Sequence, residues 1–318
     1  MTPRVAVSTV LEKPWIWAYF GAFAVWLATI VFTRGIGGGQ ILTAAFTFAV
    51  FFVIVGIGQM FVITLGPGNV DLSVPASITL AGVVSTKLMD SDNGMILVGF
   101  LAALGCGLGV GAFNYGLIRV LRIPPIIATL SAAFIIQSLA IAYGRGLRIK
   151  PPDMLADFST ARVAGMPVLA IVVVLLAVIM SVVLNRTVYG RSLIAIGQSQ
   201  RAALLTGVKV EKVRFITYTA CAVFASICGY LLSAFSGGAS LNMGEEYLLA
   251  SIAVVVIGGT SVAGGFSNVP GLWGAALFMF LLVTMLNTFG AAAGVRLILT
   301  GLIIIAVIVL AGGRRPAR

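Results

Sequence analysis

The sequence contains no histidine, and only 9% of its residues are charged. The first absence removes the side chain that most often serves as a general base or metal ligand near neutral pH. Cysteine is nearly absent too: Cys106, Cys221 and Cys228 each fall inside an apolar run without C-x-x-C or metal-ligand spacing, and they read as inert core thiols. No Gly-x-x-x-x-Gly-Lys-Ser/Thr phosphate loop occurs, which excludes the familiar mode of ATP binding for this chain. Asp90 with Asp92, and Asp153 with Asp157, could be mistaken for the paired aspartates of a lipid-diphosphate enzyme. Each pair lies in an outer loop beside Lys or Arg, with no constellation of acid, base and metal ligands. No catalytic residue, no metal site and no enzymatic activity are expected of this chain.

What fills the sequence is apolar: 60% of the residues are hydrophobic and the mean hydropathy is +1.13. Those values lie far outside the range of water-soluble domains and point to an all-α polytopic membrane protein. Apolar runs of the length a helix needs to cross the hydrocarbon core recur along the chain. They predict about ten transmembrane helices, near 15–33, 41–65, 72–89, 95–118, 125–144, 167–185, 213–235, 247–264, 271–290 and 295–311. Residues 1–318 read as a single transmembrane domain.

Lys and Arg accumulate in cytoplasmic loops. With the N-terminus inside, Arg4, Lys13, Arg119, Arg122, Arg186, Arg191, Arg201, Lys209, Lys212, Arg214, Arg314, Arg315 and Arg318 are cytoplasmic, 13 of the 20 basic residues, and both termini are inside. Asp90, Asp92, Asp153, Asp157, Glu245 and Glu246 then fall outside, whereas Glu12 and Glu211 stay inside. The net charge of +11 is spread over membrane-proximal segments and not gathered on one soluble face, so no nucleic-acid partner is expected. The first apolar run ends in Arg34 and a glycine cluster without an A-x-A-like site, so no cleavable signal peptide is expected.

The stretch GPGNVDLSVP, Gly66–Pro75, interrupts this apolar pattern. Its glycines end the second helix, Asp71 or Ser73 is placed to cap the third, and Pro75 falls in the first turn, where a missing N–H costs nothing. Non-helical backbone at membrane depth is tolerated where protein buries it or where it lines a water-filled cavity. Asn69, Asp71 and Ser73 are therefore candidates for a translocation path; a plain cytoplasmic turn capped by Asp71 is the alternative. SGGASLNMGEEY, Ser236–Tyr247, is a comparable break between spans seven and eight, and the opposite orientation of spans two and seven gives weak inverted-repeat symmetry. Asn114 and Gln137 lie within apolar spans, either hydrogen-bonding a neighbouring helix or meeting a substrate. GCGLGVG, Gly105–Gly111, holds two overlapping Gly-x-x-x-Gly pairs suited to close packing within the subunit.

The longest polar connection, 186–214, carries six basic residues and belongs on the inner surface. Gln198–Thr206 reads as a short helix ended by Gly207, with Ala195, Gly197, Ala202 and Ala203 keeping part of its surface small. A solvated amphipathic linker is the alternative.

Four segments in order, VDLSVPASITLAG, RIPPIIATLS, YGRSLIAIGQSQRAALLTGV and YLLASIAVVVIGGTSVAGG, resemble the permease subunits of bacterial ribose-type sugar ABC importers, over about residues 41–311. The resemblance implies a type II ABC importer-like fold in the bacterial inner membrane, with two ten-helix permease subunits paired in the lipid. It also implies cytoplasmic ABC ATPase subunits that bind ATP and Mg, and a periplasmic sugar-binding protein that delivers a monosaccharide or related polyol. The segment matching Gly190–Gly207, with Gly190, Arg191, Ala195, Gly197, Gln198, Arg201, Ala202, Ala203 and Gly207, would be the coupling loop. No cofactor is expected in the chain itself. Pro75 and the run Gln198–Arg201 depart from the family's usual residues, a hint of two unlike permeases in a heterodimer, with a homodimer equally open. The alternatives are a branched-chain amino acid-type ABC permease and a secondary transporter that works without an ATPase.

Overall fold

The computed structural model of the chain describes residues 15–146 and 149–290, with scattered positions between 292 and 306. Arg4, Glu12, Lys13, Arg148, Arg314, Arg315 and Arg318 lie outside the described residues, as does much of the expected span 295–311.

Helices follow one another with short connections: α1 (Ile16–Phe32), α2 (Gly38–Thr64), α3 (Val74–Met89), a 3-10 turn (Asn93–Met95), α4 (Ile96–Arg119), α5 (Pro125–Gly144) and α6 (Asp153–Thr160). A two-residue hairpin of β1 (Arg162–Val163) and β2 (Met166–Pro167) leads into α7 (Val168–Arg186), α8 (Val188–Gln198), α9 (Gln200–Leu205), α10 (Val210–Phe235), α11 (Tyr247–Ile257) and α12 (Val269–Thr288). Six helices among the described residues are long and apolar enough to cross a membrane: Gly38–Thr64, Asn93–Arg119 counted with its leading turn, Pro125–Gly144, Val168–Arg186, Val210–Phe235 and Val269–Thr288. Proline stands in the first turn of α3, α5 and α12, where its absent N–H breaks no bond.

The expected span 247–264 ends early, at Ile257. Gly259 takes φ +89° there, and Asn268 donates from its side-chain amide to the Gly258 carbonyl oxygen at 3.2 Å, so the chain turns away from the helix.

The core is helix on helix. α2 is buried along its second half, packed against α10, α12, α11 and α7, while α10 also packs on α3 and α4. Gly107 and Gly111 of α4 lie against the backbones of Val223 and Thr219 in α10, as a close-packing pair requires, whereas Gly105 and Gly109 face open space. Along α7, Leu175, Val178, Ile179 and Val182 are exposed, the composition expected of a lipid-facing surface.

Two faces differ in charge. One gathers Arg119, Arg122, Arg186, Arg191, Arg201, Lys209, Lys212 and Arg214 around α8, α9 and the start of α10, and is called the basic face below. The opposite end, called the acidic end below for its four aspartates, carries Asp90, Asp92, Asp153 and Asp157 among Lys87, Arg145, Lys150 and Arg162, and is tied together where Ser91 Oγ donates to the Lys150 carbonyl oxygen and the Met154 N–H donates to Asn93 Oδ1. Arg119 and Glu211 form the one ion pair among the described residues, 3.0 Å, and Tyr115 donates to the same carboxylate oxygen at 2.5 Å.

Candidate functional site

The interruption at Gly66–Pro75 folds into a buried polar knot. Asp71 is 1% exposed and has no ion-pair partner among the described residues. Its Oδ1 accepts from the Ser73 N–H at 2.9 Å and from Ser73 Oγ at 2.6 Å. The helix proper begins at Val74 with Ser73 at the N-cap position and no side-chain cap bond, and Asp71 instead closes a turn ahead of it by holding the amide two residues on. From α4, Asn114 Nδ2 donates to Ser73 Oγ at 2.7 Å and reaches both Asp71 oxygens at 3.5 Å; Asn114 Oδ1 has no partner among the described residues.

Neighbouring helices close the knot. Thr129 of α5 accepts from the Leu72 N–H at 3.0 Å and donates among the Val70, Pro125 and Ile126 carbonyl oxygens at 3.2, 3.0 and 3.4 Å. Asn69 donates to the Gly66 carbonyl at 3.1 Å and accepts from Tyr218 Oη of α10 at 3.1 Å. Cys221 Sγ donates to Gln59 Oε1 at 3.7 Å. Thus Asn69, Asp71, Ser73 and Asn114 come together, buried or half-buried, while Gln137 lies apart and donates to the Leu241 carbonyl oxygen at 2.6 Å. Gln59, Thr129 and Tyr218 join the knot without having been singled out from the sequence, where the available signal is the one that marks Asn114 and Gln137, a polar side chain inside an apolar run.

At the basic face the helix expected over Gln198–Thr206 is found as α9, Gln200–Leu205, and a separate helix, α8, precedes it. α8 ends at Gln198 and Ser199 is extended, its Oγ accepting from the Ala202 N–H at 3.2 Å to start α9. Gly207, φ +83°, ends the turn. Arg191, Gln198, Arg201, Ala202 and Gly207 are exposed, with Leu204 and Leu205 beside them, whereas Gly190 and Ala203 are buried and Ala195 and Gly197 are half-buried. Tyr189 bonds Thr217 at 2.9 Å, and burial pushes its phenol up to about 12, so it holds α8 to α10 as a neutral group.

Gly197 marks where this segment meets the helix break. A Cβ there would run into the Thr64 carbonyl oxygen and the Gly265 backbone, and one at Gly264 would run into Gly66. Gly265 N–H donates to the Thr64 carbonyl at 3.0 Å. Three chain segments, the end of α8, the Gly66 break and the turn after α11, therefore meet backbone to backbone, with the Gln198 side-chain amide also donating to the Gly265 carbonyl at 3.5 Å.

Residues 40–308 match the family described as branched-chain amino acid transport system / permease component. The chain belongs to this family. Among its curated relatives, the probable ABC transporter permease protein y4mJ of Sinorhizobium fredii is 32% identical over 260 residues, covering 81% of this chain and 77% of the relative. The ribose import permease protein RbsC of Bacillus subtilis is 32% identical over 260 residues, 81% of this chain and 80% of the relative. The fructose import permease protein FrcC of Rhizobium meliloti is 32% identical over 267 residues, 79% of this chain and 72% of the relative. No solved structure matches. The family match takes in the knot, α8, α9 and the glycine contact together, since all lie within residues 40–308 of this permease component.

Proposed function

We propose that this chain is the transmembrane permease subunit of an ATP-driven importer that carries a monosaccharide or related polyol delivered by a periplasmic binding protein. The observation that carries the reading is the match along most of the chain to ribose and fructose import permeases. The family description names branched-chain amino acids, so the decisive assay compares substrates directly. Importer complexes purified from native membranes and placed in proteoliposomes should take up labelled pentose or hexose with ATP and binding protein, and not labelled leucine. Leucine uptake without sugar uptake would reverse the assignment.

On this reading two permease subunits, alike or paralogous, enclose the path in the inner membrane, each with about ten spans and both termini cytoplasmic. The two breaks support an inverted repeat, because α2 with 65–73 and α3 mirrors α10 with 236–246 and α11. The basic face is then cytoplasmic. Cysteine at Ser199 should react with an impermeant thiol reagent only from the cytoplasm, and cysteine at Ser91 only from the periplasm. Reversed labelling would invert the topology.

ATP and Mg are held by the partner ATPase, which docks on the exposed surface of α9 formed by Arg201, Ala202, Leu204 and Leu205. Ala202→Trp, at an exposed position, should leave the permease folded while cutting binding-protein-stimulated ATP hydrolysis at least tenfold. Normal stimulation and normal sugar uptake in that variant would move the interface elsewhere.

A further inference from the structure

The second glycine-rich break does not stay at the acidic end of the molecule. Gly238 lies near the Ile149 carbonyl, among the acidic-end loops, but the following residues descend along α3. Met243 packs on Gly82, and Gly244 sits so close to the first turn of α3 that a Cβ would strike the Pro75 carbonyl oxygen. At the usual helical rise of about 1.5 Å per residue, Pro75 is about 21 Å from the Met89 end of α3.

Two further markers give the same depth. The Tyr247 ring, at the start of α11, packs against Phe52 with centroids 5.1 Å apart. Phe52 is near the middle of Gly38–Thr64, about 21 Å from one end and about 18 Å from the other. Below Tyr247, α11 spans only Tyr247–Ile257, about 16 Å, before the turn whose Gly264 and Gly265 meet Gly66 and Gly197 at the basic face.

Asn242, Glu245 and Glu246 thus stand halfway through the apolar thickness of the protein. All three are exposed on this chain, and neither carboxylate has an ion-pair partner among the described residues. Hydrocarbon rejects such groups; at this depth they belong against protein partners or water. The exposure points away from this chain's own core, and the knot around Asp71, which the sequence singled out first, is sealed from solvent.

We infer that Asn242, Glu245 and Glu246 line the water-filled translocation path at its mid-depth, and that the two carboxylates make it reject anionic solutes while accepting hydrogen bonds from the hydroxyls of a neutral one. The inference rests on the permease reading above. Paired subunits would bring four carboxylates to one level of the path, a concentration of negative charge that low-dielectric walls strengthen. A sugar phosphate would be repelled there, while an uncharged polyol would meet two carboxylate acceptors and the Asn242 amide.

Asn242→Cys is the reporter, because it leaves both carboxylates in place. Importer complexes in lipid nanodiscs would be treated with cationic and anionic methanethiosulfonates of similar size, against the parent chain with its native cysteines. Rates would be normalised to those with a small free thiol. Reaction at Asn242→Cys should be at least a hundredfold faster than at Leu175→Cys on the exposed apolar face of α7. The cationic reagent should be favoured at least tenfold, and Glu245→Gln with Glu246→Gln should abolish that preference. Reactivity no greater than at Leu175→Cys with either reagent, or a preference unchanged by removing the carboxylates, would overturn the inference. Labelling requires no turnover, so failure of sugar uptake in the earlier assay would leave this result readable by itself.

Discussion

Gly197→Ala is expected to leave little folded permease in the membrane, although it adds a single methyl group. The obstacles to that methyl are the Thr64 carbonyl oxygen and the amide and Cα of Gly265, all backbone. A side chain in the way could rotate; these atoms move only if the Gly265-to-Thr64 hydrogen bond, 3.0 Å, opens and the turn after α11 shifts with it. Overpacked sites typically cost about 1–3 kcal/mol, and a site walled by backbone belongs at the top of that range or above, so a loss of about 3 kcal/mol is expected. Size-exclusion profiles of a fluorescently tagged permease, with thermal unfolding of whatever survives, measure it. Ala202→Trp serves as the control, since a far larger side chain at that exposed position should give a parent-like profile. A parent-like profile and melting temperature for Gly197→Ala would show that α8 is not seated on the two loops.

The second large effect concerns the knot. Asp71→Leu removes the oxygen that holds the Ser73 amide and hydroxyl and takes both 3.5 Å acceptors from the Asn114 amide, which keeps its 2.7 Å bond to Ser73 Oγ. Each polar group orphaned in a buried site costs roughly 1–3 kcal/mol, so a loss of about 3 kcal/mol or more is expected, with sugar uptake falling in proportion to the folded fraction. Asp71→Asn behaves differently. Its Oδ1 can still accept from Ser73, and its new N–H groups meet Asn114, whose Oδ1 has no partner among the described residues and can be turned toward them by rotating the amide. That variant should unfold within about 1 kcal/mol of the parent and keep most of its uptake. Stability retained with uptake lost in Asp71→Asn would instead make the carboxyl group itself part of the transport cycle.

The sequence made the helices legible and their facing hard to read. Expected ranges such as 125–144 coincide with α5 as found, because Pro125 and Gly144 punctuate it. The place of Asp71 at the start of α3 was legible too, although its oxygen holds the Ser73 amide and hydroxyl and neither residue makes a side-chain cap bond to the first turn. Facing was not legible, because helices in lipid are apolar on every side and carry little periodicity to orient them. Gly197 therefore looked like part of a small docking surface, when it lies against Thr64 and Gly265. Glu245 and Glu246 were assigned to an outer loop because charge marks loops in a hydropathy profile, yet the Gly244 contact with Pro75 carries them inward. Nothing short-range in Ser236–Tyr247 encodes that descent; it depends on Gly82 and Pro75, far away in the chain.

The contact among Gly66, Gly197, Gly264 and Gly265 also bears on how such a protein can change over generations. Gly197, Gly264 and Gly265 admit no Cβ, and at Gly197 and Gly264 every obstructing atom is backbone, so a gain there cannot be offset by trimming a neighbouring side chain. Drift at these sites is blocked singly and jointly. A chimaera that joins residues up to the first break from one relative to the remainder from another keeps its function only where both parents bring their backbones to the same separation. The joint thus sets where permeases of this kind can be recombined, independently of which solute either parent carries.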